Sequence, residues 1–515
     1  MADLKVLKPR FTWINSQTNY FNIKESFKRI KVATFLVKFF KLPIICIIFG
    51  LCSLVFVELE RRAYESYFFN NSGGNIEIIK SIRPSKDFII IGHGFAGSKE
   101  MMRQLAYDVA NAGGNAVLFD FIGHGSNPIK LINQPTKITG TTQQLVNQLS
   151  DLITFIYEKF GNEIRISLVG HSMASDIVIR ASADKRIKSI VAISPYSNGI
   201  TQDFPKDLLL ISGQFENHLR SHALQMVKTF NPKATENTEY ASEEVRRKAS
   251  FIENTGHVSV IYASQTSRII IDWLKLENYD RPFWKTQIVS IIIALTFIVF
   301  GMSRLNANLV DQNISDAEDK RALRKLFLAT IFSLSSGLIE INLSHVYGFE
   351  RIAFYFGSIG LFAYLFSFDY QITKLKIDFL IWLKLILCFG VLCLLINRYI
   401  GSFTLSENRI TAFIILILPI TLFCLVMEKL TISYSIWISI LSRGLPIVGF
   451  SILLILFPQD YGLMFTTILI YILYFIVFGY IGKHQRKKIG HLKVGLTHGI
   501  FLSFAFAATN PIFSP

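Results

Sequence analysis

The chain has 515 residues, 51% of them hydrophobic, and a formal net charge of +16. That length exceeds what one ordinary core uses, so at least two units are expected. The basic excess sits at the N-terminus and in short joints between apolar runs. This argues against a nucleic-acid surface, which needs its Lys and Arg gathered on one soluble face. All five cysteines, Cys46, Cys52, Cys388, Cys393 and Cys424, fall inside apolar runs. Disulfide stapling, thiol catalysis and cysteine-type zinc binding are therefore excluded from the polar middle of the chain.

Residues 1–41 form a basic segment that holds Lys24, Lys28, Arg29, Lys31, Lys38 and Lys41. The run 42–59, LPIICIIFGLCSLVFVEL, is long enough to span a hydrocarbon layer as a helix. A cleaved signal peptide is the competing reading, but no small-residue cleavage site follows. A membrane anchor is expected.

From 60 to 280 acids and bases are balanced and apolar strand patterns alternate with helical ones. Strands are predicted at 87–94, 115–121, 165–171, 187–194, 207–212 and 249–254. Helices are predicted at 98–113, 141–161, 173–183 and 258–276. This alternation predicts an α/β domain, a mostly parallel sheet covered by helices on both faces. Sites in such sheets lie at the carboxyl ends of the strands. Ser172 occupies that place, in Gly170-His171-Ser172-Met173-Ala174. The pattern alone is weak. Its position, after an apolar strand and opening a helix, is the setting a nucleophile elbow requires.

Four stretches occur in the matching chain order: GHGFAGSKEMM (92–102), FDFIGHGSN (119–127), VGHSMAS (169–175) and ENTGH (253–257). On these the region 75–275 resembles the α/β-hydrolase fold, most closely its monoacylglycerol-lipase and serine-aminopeptidase-like members. The resemblance implies Ser172 as nucleophile and His257 as general base. It implies an oxyanion hole made by the backbone N–H groups of Phe95 and Met173. The family's acid usually stands in Gly-x-x-Asp. Here the stretch is Gly213-Gln214-Phe215-Glu216, so Glu216 is the expected acid and carries one extra methylene. Asp203 and Asp207 are its alternatives. Ala174 stands where many relatives have Gly, which calls for a slightly wider gap between helix and strand. His171 and His124 are expected to be structural or rim groups, His218 and His222 solvated. No metal-ligand spacing occurs and no cofactor is implied. Only residues 195–206 separate two strands where relatives commonly insert a helical lid.

From 281 to 515 the chain reads as a polytopic helical bundle. Candidate spans lie near 286–303, 326–345, 352–369, 379–397, 410–427, 436–457, 461–482 and 494–511. The last is the weakest, because His498 and Asn510 interrupt it. With the anchor this makes about nine spans. Positive charge orients them. RALRK (321–325), KLK (374–376), Lys429 and KHQRKK (483–488) fall on the side of the N-terminus. The opposite joints hold only Arg351, Arg398 and Arg409. The N-terminus is thus expected in the cytoplasm and the hydrolase-like domain outside it, with a bacterial inner membrane as the expected location. Glu340, Lys384 and Arg443 fall within spans. Lys384 can snorkel, and Arg443 is expected as a packing partner at a Gly/Pro kink, with a headgroup contact as the alternative.

These readings converge on an integral-membrane serine hydrolase that cleaves a lipid or acylated ester. The bundle is expected to help present a membrane substrate, because spans tether the domain at both ends. The alternatives are a membrane-anchored serine peptidase, an acyltransferase, and a non-catalytic binding domain on a transporter or scaffold.

Overall fold

The computed structural model describes residues 42–71, 74–134, 137–277, 286–304, 316–339, 348–366, 379–401, 405–430 and 436–514. The basic segment 1–41, Glu340 and the joint 374–376 lie outside the described residues.

A nine-stranded sheet runs in the order β1-β2-β4-β3-β5-β6-β7-β9-β8. Its parallel centre consists of β3 (Asp87–Gly92), β4 (Asn115–Phe119), β5 (Arg165–His171), β6 (Ile187–Ile193), β7 (Asp207–Gly213) and β9 (Arg246–Ile252). All but β9, which begins Arg-Arg-Lys and is only partly buried, are largely apolar and buried on both faces, as strands between two helical layers must be. In β3, Ile89 and Ile91 join one core while Phe88 and Ile90 join the other, the period-2 alternation of a strand. Two edges are antiparallel. β1 (Ser66–Asn71) and β2 (Gly74–Ile79) form a hairpin beside β4, and the short β8 (Glu239–Ala241) pairs with β9.

The sheet's helices are α2 (Arg103–Asn111), α3 (Gln143–Phe160), α4 (Met173–Ala181), α5 (Asn217–Lys228) and α6 (Ser264–Leu274), while α1 (Leu42–Arg61) precedes them. Beyond the sheet come α7 (Thr286–Arg304), α8 (Asp316–Ser333), α9 (Phe349–Leu365), α10 (Phe379–Tyr399), α11 (Glu407–Leu430), α12 (Ile436–Leu456), α13 (Thr466–Ile489) and α14 (His491–Thr509). Among the described residues, seven helices are long and apolar enough to cross a membrane. The expected spans at 326–345 and 352–369 run partly outside the described residues, and α8 and α9 are not among the seven.

Small residues set how the bundle packs. A Cβ on Gly50 of α1 would meet the Ala294 carbonyl of α7 at 2.7 Å, and one on Gly301 would meet the Pro43 carbonyl at 2.5 Å. The two helices that flank the hydrolase-like domain therefore touch backbone to backbone. α14, the weakest span by sequence, is deeply buried against α11. His498 bonds Tyr474 through Nδ1 at 3.0 Å, and the Asn510 carboxamide oxygen accepts from Thr466 at 2.6 Å. Both side chains thus find partners inside the bundle, and the other ring nitrogen of His498 faces the Glu428 carboxylate at 3.9 Å.

Arg443 is a packing partner. Its guanidinium lies 3.3 Å from buried Glu428 and over the Phe475 ring, and Arg486 reaches the same carboxylate at 2.7 Å. Glu428 thus ties three helices together. Replacing it with Ala removes a buried counter-charge, a change that costs about 3–5 kcal/mol. Thermal unfolding of the full chain in detergent should give a clearly lowered Tm for Glu428→Ala. An unchanged Tm would refute this account of the cluster.

Candidate active site

Ser172 stands between β5 and α4 with φ +54° and ψ −114°. A non-glycine residue pays to adopt such a backbone, and its surroundings must hold it there. The Ser172 N–H donates to the Ile193 carbonyl at 2.8 Å, and Ser175 donates to the Ser172 carbonyl through both its N–H and its hydroxyl. Gly170 is required, because a Cβ there would lie 2.3 Å from the Ala174 carbonyl. The methyl group of Ala174 is offset across the gap by Gly92, where a Cβ would sit 3.1 Å from it. A glycine on β3 therefore makes the room that a glycine at 174 makes in relatives.

The hydroxyl of Ser172 lies 2.9 Å from Nε2 of His257, and Nδ1 of that ring lies 2.6 Å from Oε1 of Glu216. An ionised carboxylate can only accept, so Nδ1 carries the proton and Nε2 of the neutral ring accepts from Ser172. Oε2 of Glu216 accepts from the Ser194 hydroxyl at 2.9 Å and from the Gly213 N–H at 2.5 Å. The extra methylene folds the carboxylate back over Gly213, and Phe215 turns outward to solvent. Burial works against ionisation of Glu216. The bonds from His257, Gly213 and Ser194 outweigh it and hold the carboxyl below the usual glutamate range. Asp203 is exposed, and Asp207, at the far end of β7, bonds Ser189 and Arg246. Neither approaches His257.

Two loops are zipped together to hold this geometry. The Phe215 N–H donates to the Thr255 carbonyl at 3.0 Å, and the Asn254 N–H donates to the Gln214 side chain at 2.8 Å. His171, expected as a structural or rim group, is a structural support. Its Nε2–H donates to the His257 carbonyl at 2.8 Å, and burial lowers its pKa to about 4, so the ring stays neutral. His93 donates from Nδ1 to the Gly94 carbonyl at 2.8 Å and accepts the Phe121 N–H at 3.1 Å through Nε2, fixing the turn that carries Phe95. Lys99 braces the neighbouring turn through buried Asp120 at 2.8 Å. His124 is fully buried, His218 is exposed, and His222 is not simply solvated but stacks on Tyr196. Neither the Phe95 N–H nor the Met173 N–H donates to a group among the described residues. Met173 opens α4, where helical N–H groups have no internal acceptor.

Ser172 and His257 line a cleft of about 530 Å³, the size that small-molecule sites occupy. Its lining is mostly apolar, with Phe95, Leu145 and Ile177, and also holds the polar groups of Asp176, Arg180 and Ser197. Leu463 and Phe513, from the helical region, complete the lining. The segment 195–206 contains no helix.

Residues 83–275 match the family described as serine aminopeptidase, S33. No curated protein matches the chain. Among solved structures the chain is similar to a dienelactone hydrolase from Anabaena variabilis ATCC 29413, at 13% identity and TM-score 0.32, covering 42% of this chain and 99% of that one. It is similar to a lipase in its open form, at 8% identity and TM-score 0.33, covering 41% and 98%. It is also similar to a soluble variant of monoglyceride lipase from Saccharomyces cerevisiae, at 11% identity and TM-score 0.31, covering 41% and 94%. Residues 83–275 form an α/β-hydrolase domain, and the bundle lies outside the family match.

The arrangement can move a proton from a serine hydroxyl to an imidazole held by a carboxylate. Glu216→Gln keeps the size but loses the charge that fixes the tautomer. It should slow phosphonylation of Ser172 by a fluorophosphonate about 10³–10⁴-fold, as followed by labelling time courses; an undiminished rate would exclude Glu216 from the relay. The lowered Glu216 pKa also sets a sign. Its contribution to stability is present above the unfolded value of about 4.3 and is lost as pH falls through the lower native value. Unfolding followed down that range should show a shallower acid loss for Glu216→Gln than for the parent.

Proposed function

We propose that this α/β-hydrolase domain is the catalytic part of an integral-membrane serine hydrolase that cleaves esters of lipid or acylated substrates. The observation that carries the reading is the continuous hydrogen-bonded chain Glu216–His257–Ser172, opening on a cleft lined by both apolar and polar side chains.

In this mechanism Ser172 Oγ attacks the ester carbonyl while His257 Nε2 takes its proton. The carbonyl oxygen becomes an oxyanion held by the N–H groups of Phe95 and Met173. One such donor is worth about 10²–10³ in rate. The tetrahedral intermediate collapses, the ester C–O bond breaks, and the imidazolium returns the proton to the departing alcohol. Water, deprotonated by the same ring, then attacks the acyl-enzyme and releases the acid. Glu216 stays ionised throughout and stabilises the imidazolium.

Two observations weigh between the alternatives. An aminopeptidase needs a carboxylate for the substrate's free amine. Asp176 is the one carboxylate lining the cleft, and it is already bonded to Arg180 at 2.8 Å and to the Ser197 hydroxyl at 2.5 Å. Acyl transfer to another acceptor needs water kept away, whereas the His257 side chain is 46% exposed. Both favour ester hydrolysis.

The membrane placement extends the reading. The domain meets the bundle at one end, where Arg103 donates to the Arg398 carbonyl, Asn408 to the Pro128 carbonyl and Arg409 to the Gly123 carbonyl; at that end Arg398 also pairs with Glu58 of α1 at 2.8 Å and Arg351 with Asp460 at 2.7 Å. The three arginines of the domain-side joints thus have local partners. Arg321, Arg324, Lys325, Lys429 and Lys483 lie toward the other ends of their helices, which supports a non-cytoplasmic hydrolase domain by the positive-inside rule. The domain limits we assign are 1–41 for the basic segment, 42–59 for the anchor, 60–280 for the hydrolase and 281–515 for the bundle.

Fluorophosphonate should label the full chain and fail to label Ser172→Ala. The labelled protein should turn over p-nitrophenyl esters and leave aminoacyl p-nitroanilides largely intact. Labelling of both proteins alike, or preference for the amides, would overturn the reading. For the orientation, a cysteine at exposed Glu243, in a background without the native cysteines, should react with an impermeant maleimide added outside intact cells. Reaction only after lysis would place the domain in the cytoplasm.

A further inference from the structure

The cleft has a wall that the hydrolase domain does not supply. Leu463 lies just before α13 and Phe513 just after α14, far outside residues 83–275, yet both line the same space as Ser172 and His257. Three separate sets of contacts hold this wall in place. The C-terminal stretch docks on the domain as a strand would. The Ile512 N–H donates to the Gly123 carbonyl at 2.9 Å, Leu131 donates to Ile512 at 2.9 Å, and Ser514 donates to Leu131 at 2.7 Å. Gly123 has φ +76°, and a Cβ there would sit 2.9 Å from the Ile512 carbonyl, so no other residue leaves room for the docked chain. Buried Arg409 then bonds the carbonyls of Ala507 and Asn510 in the bundle and of Gly123 in the domain, at 2.8, 3.0 and 3.3 Å. Third, Phe465 stacks on Phe95, the residue of the oxyanion turn, with ring centroids 5.5 Å apart and planes 19° apart.

The surroundings indicate what this wall meets. Ile129, Ile132 and Ile138, in the loop beside the cleft, stay exposed, and so does Phe465. Apolar side chains gathered at the mouth of a site mark contact with an apolar partner. The polar groups Asp176, Arg180 and Ser197 also line the cleft. No lid helix lies between β6 and β7, and the bundle adds Leu463 and Phe513 to the lining of the cleft.

Building on the ester-hydrolase reading, we propose that the bundle supplies the acyl-chain wall of the active site. Leu463 and Phe513 are specificity-determining residues for the long acyl chain of a membrane lipid ester, whose polar part lies toward Asp176 and Arg180. Phe465 is a positioning residue that acts through Phe95 on the oxyanion turn.

The test uses the full chain in detergent micelles and p-nitrophenyl esters from acetate to palmitate. Burial of each methylene against the wall is worth about fourfold in kcat/KM, so the parent should climb steeply with chain length. Phe513→Ala should lower the laurate-to-acetate ratio of kcat/KM at least tenfold, mainly through KM. Leu463 is only partly buried, so Leu463→Trp tests the wall with less risk to folding, and it should shift the optimum to shorter chains. Phe465→Ala should lower kcat at all chain lengths and leave the ratio in place. If the parent hydrolyses esters but neither Phe513→Ala nor Leu463→Trp changes the chain-length profile, the wall is overturned while the hydrolase reading stands. If the parent fails to react with fluorophosphonate, the hydrolase reading falls and the wall falls with it.

Discussion

A single strained residue governs the arrangement of this site. Ser172 occupies a backbone conformation that costs about 1–3 kcal/mol, and the fold is built so that it has no alternative. Strand β5 delivers it, α4 leads away from it, and the Ile193 carbonyl on the next strand holds its N–H. The close approach of helix and strand sets strict limits on size. Gly170 has no space for a side chain, and the methyl group of Ala174 is accommodated only because Gly92 faces it. The strain exposes the hydroxyl at the sheet's edge and leaves the Met173 N–H free to serve an oxyanion.

The remaining groups are supports of increasing range. Glu216 and His257 come from loops after β7 and β9, neighbours in the sheet, and bonds between those loops keep the ring in register with the carboxylate. His171, beside the serine, fastens the His257 backbone from below. The longest range belongs to the bundle, which contacts the domain through hydrogen bonds to backbone carbonyls around residues 398, 400, 409 and 512. Through these contacts Leu463 and Phe513 of the helical region line the same cleft as Ser172 and His257.

Much of the hydrolase domain was legible because its physics is local. Buried parallel strands read as unbroken apolar runs, and the turn between β5 and α4 needs small residues at fixed places. Strands β1 and β8 and helix α5 were missed, since largely exposed elements carry mixed polar patterns that resemble loops, and β2 was missed because buried Glu77 interrupts its short apolar run. Glu216 was readable by spacing, but how its extra methylene would be housed was not: that depends on Ser194 and Gly213. In the bundle, His498 and Asn510 made α14 look like a poor span. A sequence shows polarity but not the Tyr474 and Thr466 partners these side chains find inside the bundle. Nothing in the local pattern marks Leu463 or Phe513 as wall residues, because their position follows from the docking of Ile512 on Gly123 and Leu131.

The most direct test is the structure of the full chain in a lipid nanodisc after reaction with a long-chain alkyl fluorophosphonate. The account predicts phosphorus on Ser172 Oγ, the phosphonyl oxygen within hydrogen-bonding reach of the Phe95 and Met173 N–H groups, and the alkyl chain lying along Leu463 and Phe513. An adduct whose His257 ring points away from Ser172 and Glu216, or a chain that leaves the cleft without touching the bundle, would contradict it.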